Sequence, residues 1–480
     1  MVSKNFHWIF VLALLFIFGC EKKKPNIEDK DILLDRANND TTGENKLELS
    51  RLIPGKIQTV KTSKDSLLSY SLYIPKNYSE SKVYPIVYFF DPQGNGNLPV
   101  EKYHQLADQF ETILAGSYNS KNGISWDKIQ PQIMTMMEDC KFKLSIDKNR
   151  IYTSGFSGGA RVASGMAISG DEIKGVIGCG GGFPGKSNNI GYPFDYYGIV
   201  GEEDFNLGEM RQLDMSMNNS GMTHYMSEVK GGHHWPEAGD MLYAFLWLKM
   251  NAMRKNVIPK NQLLIDSLAD AGISEINRKK KKNEHYEALL ACKKWISFLK
   301  DLKSVEAFKS EGNSLFQSES VKATLAEITI IEEKEMELTR KFWLAFEKEG
   351  MQWWKANYSK IITMVQNNSL PKEERIMYKR IKGFLGLAAF SFSNSAIQQT
   401  DYPKALKFLQ IYELVEPENS EHAYLQAKVY AAKGNWKLAH SSLKKAISLG
   451  FTDALRVEVD KIFKDAPDQQ EYKLLLSRIK

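Results

Sequence analysis

One serine lies in a glycine-rich turn. Gly155-Phe156-Ser157-Gly158-Gly159 follows a strand-like stretch, residues 150–153, and precedes small residues with helical spacing. A turn tight enough to strain the serine backbone needs glycines where a side chain would collide with the strand or the helix. The hydroxyl then projects into a cleft, and the helix start behind it favours developing negative charge. In this setting the sequence predicts Ser157 as a nucleophile, and a glycine-rich turn without chemistry is the alternative.

A serine hydroxyl needs a general base, and in this kind of turn the base comes late in the chain, after the last strand. His224, His233 and His234 lie between the serine and the end of the strand-like pattern. Two glycines set His233 directly after a strand-like stretch, so we predict His233 as the base and keep His234 as the alternative. His224 falls at the start of that stretch, away from its end.

A carboxylate has to orient the imidazole, and its expected place is between the serine and the histidine in the chain. Asp204 closes the stretch 199–204, in which a strand-like run meets a glycine and a short loop. Glu202 and Glu203 are the alternatives, which we interpret as solvated loop charges. Asp204 is therefore the predicted third member of the site.

Attack of a serine on an acyl carbon also requires N–H donors where the oxyanion forms. The backbone N–H of Gly158, next to the serine, is one predicted donor. A second is expected where the apolar run 88–90 meets a polar, glycine-rich loop. Pro92 in this loop has no N–H, so Gln93 is the predicted second donor.

The segments that carry these residues alternate between strand-like and helix-like patterns from Lys56 to about Lys255. This order predicts an α/β fold, a doubly wound sheet formed by residues 52–255. Such sheets place ligand sites outside the carboxyl ends of their strands. Asn119 and Ser120 follow the strand-like run 111–118 and are candidates for shaping the pocket, with a plain turn as the alternative.

The remaining residues, 256–480, are rich in Lys, Glu, Leu and Ala, which predicts a second, all-α domain. Within it, Tyr402-Pro-Lys-Ala405 and Trp436-Lys-Leu-Ala439 are equivalent at an offset of 439 − 405 = 34 residues. This offset is the length of a tetratricopeptide unit, and the resemblance is clearest over residues 386–452. It implies stacked helix pairs with a concave face that binds a protein partner.

The N-terminus predicts export and a lipid anchor. The apolar stretch Ile9 to Phe18 has the length of a signal-peptide core and is too short to span a bilayer. It runs into Gly19-Cys20, which resembles a bacterial lipobox. Residues 1–19 are then a removed signal peptide, and Cys20 is acylated and anchors the protein to a membrane of the cell envelope, on the periplasmic or outer-membrane side. Residues 20–51 are a polar tether. An ordinary secretory signal is the alternative.

The composition of the 480-residue chain excludes several classes of protein. Its 64 basic and 58 acidic residues nearly balance and form no long basic face, so we do not predict nucleic-acid binding. Besides Cys20, the cysteines are Cys140, Cys179 and Cys292, an odd number at no repeating spacing. The sequence therefore predicts neither a disulfide framework nor a zinc site, and no metal or organic cofactor.

Residues 52–255 resemble the polyhydroxybutyrate depolymerase and feruloyl esterase branch of the α/β-hydrolases. The resemblance is carried by residues 155–159, residues 201–204 and Gly232-His233-His234-Trp235-Pro236. It departs at Asp91-Pro92-Gln93, where the family has His-Gly-x, and this departure bears on the oxyanion donor. The resemblance implies hydrolysis of carboxylic esters, with an ester-bearing small molecule or a polysaccharide as substrate.

The resemblance also implies that Trp235 packs beside the pocket, with an ordinary core tryptophan as the alternative. Two other functions stay open. One is a serine peptidase of the same fold, because the same three side chains cleave amides. The other is a non-catalytic, lipid-anchored binding scaffold that uses the helical repeats.

Overall fold

The computed structural model describes residues 52–185, 191–464 and 469–477. Cys20, the predicted signal peptide and the predicted tether lie outside the described residues. The described chain divides into two compact units, one that ends at Thr324 and one that begins at Leu325. None of the helices in the described ranges is long and apolar enough to cross a membrane.

The first unit contains a sheet of eight strands in the described residues, in the order β1-β2-β4-β3-β5-β6-β7-β8. β2 is antiparallel to both of its neighbours, and β3 to β8 are parallel. This order, with helical crossovers, is that of the α/β-hydrolase fold. The strands are β1 (Ile57–Lys61), β2 (Ser69–Tyr73), β3 (Tyr84–Phe90), β4 (Ile113–Ser117), β5 (Ile146–Phe156), β6 (Gly175–Cys179), β7 (Asp195–Gly201) and β8 (His224–Val229).

The predicted α/β fold is confirmed, and the burial of its strands explains why the sequence predicts most of them. β3 and β7 are buried at every residue, because central parallel strands are covered on both faces and read as continuous apolar runs. The sequence does not predict β1, an edge strand whose half-exposed residues carry no apolar alternation. The crossover and flanking helices are α1 (Asn97–Phe110), α2 (Trp126–Lys143), α3 (Gly158–Ile168), α4 (Leu207–Ser220) and α5 (Ala238–Arg254).

Three further helices belong to the same unit, namely α6 (Gln262–Lys281), α7 (His285–Leu299) and α8 (Glu306–Gln317). The indole of Trp247 on α5 donates to Ser297 Oγ at 2.9 Å, and the ring of Phe298 packs against Tyr225 of β8 and Tyr243 of α5. The boundary predicted at residue 255 therefore lies inside this compact unit. The change to helical sequence near residue 255 marks where the sheet ends, but the helices that follow still pack against the sheet unit.

In the described residues of the second unit, every secondary-structure element is a helix. Its core includes Phe346, Trp354, Leu385, Phe408 and Tyr424. The helices of this part of the chain are α9 (Glu319–Lys348), α10 (Met351–Gln366), α11 (Lys372–Gln398), α12 (Tyr402–Val415), α13 (Ser420–Ala432), α14 (Trp436–Ser448), α15 (Ala454–Val459), α16 (Lys461–Lys464) and α17 (Gln469–Leu476). Of these, α9 begins before Leu325, in the first unit, and continues into the second.

The 34-residue offset recurs in the helix starts, because 436 − 402 = 34 for α12 and α14. Each start is capped in the same way: the side chain of Asp401 accepts the N–H of the residue three positions on, and so does that of Asn435. Ala405 and Ala439 are both buried and let neighbouring helices approach. Two helix starts thus share the 34-residue offset, and the tetratricopeptide assignment stays a prediction.

We expect residues 52–324 to form a more stable fragment than residues 52–257. The shorter fragment loses α7 and so exposes Trp247 and Tyr225, which α7 now covers. Its midpoint of thermal unfolding, measured by circular dichroism, should be clearly lower, and trypsin should degrade it faster. Equal midpoints for the two fragments would show that α6 to α8 add nothing to the sheet unit.

Candidate active site

Ser157 lies in a strained turn between β5 and α3. Its backbone has φ 53° and ψ −117°, in the region that favours glycine. Such a conformation costs about 1–3 kcal/mol and persists only where the surroundings hold it. Here the N–H of Ser157 donates to Cys179 O at 2.8 Å, and α3 begins at the next residue. The turn is therefore fixed by the sheet on one side and by the helix on the other.

The glycines around the serine are required by backbone contacts. A Cβ on Gly155 would lie 2.0 Å from Gly159 O, and a Cβ on Gly159 would lie 1.9 Å from Phe90 O. Both contacts are with backbone atoms, which cannot move aside as a flexible side chain can. Only glycine at these two positions lets α3 approach β3 and β5 this closely, as the sequence pattern predicts.

Ser157, His233 and Asp204 come together in a continuous chain of hydrogen bonds. His233 Nε2 lies 2.9 Å from Ser157 Oγ, and His233 Nδ1 lies 2.9 Å from each carboxylate oxygen of Asp204. Asp204 is 1% exposed, and its Oδ1 also accepts the Asn206 N–H at 2.8 Å. A buried carboxylate that accepts from Nδ1–H leaves Nε2 as the acceptor for the serine proton. The arrangement can therefore deprotonate Ser157.

Two aromatic rings pack against the imidazole of His233 and fix its orientation, and the sequence predicts this contact for neither of them. The ring centroid of His233 lies 4.6 Å from that of Phe156 and 4.2 Å from that of Phe205. Phe156 directly precedes the serine, and Phe205 directly follows the carboxylate. Both neighbour predicted site residues in the chain, which is the only signal the sequence offers for them.

The alternatives considered from the sequence lie elsewhere. His234 is exposed, and its Nδ1 lies 2.9 Å from Trp235 O within its own loop. His224 begins β8 and pairs with Asp214; burial lowers its pKa, but this pairing outweighs the burial and the net pKa is raised. The N–H groups of Glu202 and Glu203 donate to carbonyls of the strand and loop that precede the histidine, Val229 O and Gly231 O.

The predicted oxyanion donors differ in availability. Gly158 is the first residue of α3, where a helical N–H has no acceptor within the helix. The Gln93 N–H, in contrast, donates to Asp91 Oδ1 at 2.9 Å, and the Asn95 N–H donates to the same oxygen at 3.2 Å. The predicted Gln93 donor is therefore not free in the structure, because its N–H is already bonded to the buried Asp91 carboxylate.

Asp91 also connects the loop after β3 to the histidine loop. Its Oδ2 accepts the indole N–H of Trp235 at 2.9 Å. Trp235 is 5% exposed and packs against Phe89, Tyr103 and Phe156, so it is a core residue under the site, which matches the alternative interpretation. The Tyr103 hydroxyl donates to the carbonyl of the next residue in the histidine loop at 2.7 Å.

Asn119 and Ser120, the predicted pocket residues after β4, differ in their contacts. The side chain of Asn119 accepts the Ser69 N–H at 3.0 Å and so holds its turn against β2. Ser120 is 1% exposed, and its Oγ has no partner among the described residues. The sequence gives no reason to single out Asn122, yet its carboxamide lies against Gly158: a Cβ on Gly158 would lie 2.0 Å from Asn122 Oδ1.

The loop after β6 passes beside the serine. A Cβ on Gly181 would lie 2.6 Å from Ser157 O, and the N–H of the next residue donates to Glu209. Arg161 of α3 binds both carboxylate oxygens of Glu209 at 2.8 Å and also donates to Phe183 O. Burial raises the pKa of Glu209, but the ion pair with Arg161 outweighs it and the net pKa is lowered. The pair therefore stays charged and fixes this loop.

In the described part of the chain, no three metal-ligating side chains come together to form a candidate metal site.

No family model matches the chain, and no curated protein matches it. The chain is similar to solved structures of a thermostable esterase (19% identity, 40% of this chain and 59% of that chain, TM-score 0.32) and a ferulic acid esterase (16%, 40% and 97%, TM-score 0.33). It is also similar to an acylaminoacyl peptidase from Pyrococcus horikoshii (15%, 45% and 44%, TM-score 0.31). Because each TM-score is below 0.5, we draw no function from these likenesses.

Proposed function

We propose that the chain is a serine hydrolase that cleaves carboxylic esters through an acyl-enzyme. The observation that carries the proposal is the unbroken chain of hydrogen bonds from Asp204 through His233 to Ser157, built on a strained turn at the carboxyl end of β5. A binding scaffold needs none of this strain, whereas a nucleophile gains from having its hydroxyl held against a base.

The reaction follows from the positions of the three side chains. Ser157 Oγ attacks the acyl carbon while its proton passes to His233 Nε2, and Asp204 stabilises the imidazolium that forms. The Gly158 N–H and the start of α3 face the negative charge that develops on the carbonyl oxygen. Collapse of the intermediate breaks the bond to the leaving alcohol, which takes the proton from His233. Water, deprotonated by the same imidazole, then attacks the acyl carbon. The bond from that carbon to Ser157 Oγ breaks, Oγ takes the proton back from His233, and the carboxylic acid is released.

The preference for esters rests on the resemblance of residues 232–236 to the depolymerase and feruloyl esterase branch. A serine peptidase of the same fold would use the same three residues, so the leaving group has to be tested directly. Short activated aryl esters, feruloyl esters and hydroxybutyrate esters should be hydrolysed, and peptide anilides should react far more slowly.

We expect a fluorophosphonate probe to label the folded protein at Ser157. Ser157→Ala should abolish labelling and ester hydrolysis, and His233→Ala should reduce kcat by several orders of magnitude, because these residues act as a unit. Labelling is read on a fluorescent gel and its site by peptide mass spectrometry.

His234→Ala is the matched control, because His234 is the exposed neighbour and, among the described residues, its ring hydrogen-bonds only within its own loop. It should keep most of the wild-type kcat. Loss of activity in His234→Ala together with activity in His233→Ala would reverse our assignment of the base. Labelling that persists in Ser157→Ala would remove the proposed nucleophile.

We also propose that the protein is anchored to a bacterial membrane through an acylated Cys20, a residue outside the described part of the chain. The support is the apolar core that runs directly into Gly19-Cys20. Wild-type protein should partition with membranes, because two or three acyl chains give stable anchoring, whereas Cys20→Ser should be released or left unprocessed. Equal membrane partition of the two forms, measured by fractionation and immunoblotting, would reject the anchor.

A further inference from the structure

Two loops meet at the first turn of α3. The loop after β3 begins at Asp91, and the loop after β4 carries Asn122. The Asn122 N–H donates to Pro92 O at 2.9 Å, and a Cβ on Gly94 would lie 3.1 Å from Tyr118 O. The two loops are therefore packed backbone to backbone, and Asn122 is held beside Pro92, the residue before the predicted donor Gln93.

The carboxamide of Asn122 occupies the space that a side chain at position 158 would fill. A Cβ on Gly158 would lie 2.0 Å from Asn122 Oδ1 and 2.7 Å from both Cγ and Nδ2. The glycine after the nucleophile thus leaves room for an amide that comes from another loop. Asn122 is exposed, so a substrate can reach it, and none of the side-chain hydrogen bonds in the described residues uses its carboxamide.

The oxyanion site needs a second N–H donor close to that of Gly158. The Gly158 N–H supplies one hydrogen bond, while the Gln93 N–H is held by Asp91 Oδ1. A carboxamide carries two N–H donors, and asparagine side chains can serve as oxyanion donors. Rotation about the Cβ–Cγ bond of Asn122 turns Nδ2 toward Gly158 without changing the space that the group fills.

We propose that Asn122 is a catalytic residue whose Nδ2–H binds the oxyanion together with the Gly158 N–H. This inference rests on the proposed function, since it assigns the second donor for the same acyl transfer. It also accounts for the departure from His-Gly-x at residues 91–93: a backbone donor captured by Asp91 is replaced by a side-chain donor from the neighbouring loop.

The test compares Asn122→Ala and Asn122→Asp with wild type in the full chain. Removal of one oxyanion donor costs about a hundredfold or more in kcat. We expect kcat for an activated aryl ester to fall by about that factor in Asn122→Ala with KM little changed, and at least as far in Asn122→Asp, which has a similar shape but no N–H donor. Lys121→Ala, an exposed neighbour in the same loop, should keep the wild-type kcat.

A purely structural role is separated by two further measurements. The midpoint of thermal unfolding should be the same in wild type and Asn122→Ala. A trifluoromethyl ketone, which adds the serine and forms an oxyanion, should bind Asn122→Ala more weakly by the factor lost in kcat/KM, because both depend on the same charged oxygen.

The outcomes distinguish the two proposals. If wild type reacts with fluorophosphonate and esters but Asn122→Ala and Asn122→Asp keep the wild-type kcat, the second donor is not Asn122 and the serine hydrolase remains. If Asn122→Ala loses activity only in proportion to its unfolding, Asn122 is not an oxyanion donor. If folded wild type neither reacts with the probe nor hydrolyses esters, both proposals are overturned.

Discussion

The strained backbone of Ser157 is the constraint on which the rest of the site depends. A residue at positive φ can be held only if the strand before it and the helix after it are both fixed, and here the backbones of α3 and β3 meet with no room for a Cβ on Gly159. The stability of the sheet and helix thus maintains a local strain that aims the hydroxyl at His233. Central strands buried along their whole length provide the rigid support for this turn.

The second feature is the set of buried links that bring the loops to the serine. Asp91 joins the loop after β3 to Trp235, backbone bonds join the turn before Asp204 to the histidine loop, and Arg161 with Glu209 holds the loop after β6. Each link ends in a buried or half-buried polar group that would be costly to leave without a partner. The imidazole is therefore positioned by neighbours that lie outside the Asp204–His233–Ser157 chain of hydrogen bonds.

Much of this arrangement follows from sequence because it depends on local patterns. Ser157, Asp204 and His233 each follow a strand-like run, and the carboxyl ends of parallel strands meet at one edge of the sheet. What the sequence does not predict depends on contacts between segments distant in the chain. The capture of the Gln93 N–H depends on where the Asp91 side chain turns, the closeness of Asn122 to Gly158 on how two loops pack, and the extent of the first unit on Trp247 and its partner in α7.

We propose that Ser157 carries the acyl group during turnover. The most direct measurement is acid quenching of the protein during hydrolysis of an activated ester, followed by intact-mass and peptide mass spectrometry. We expect one acyl group per chain, located on Ser157, and none in Ser157→Ala. An ester turned over with no acylated protein, or with the acyl group on another residue, would contradict it.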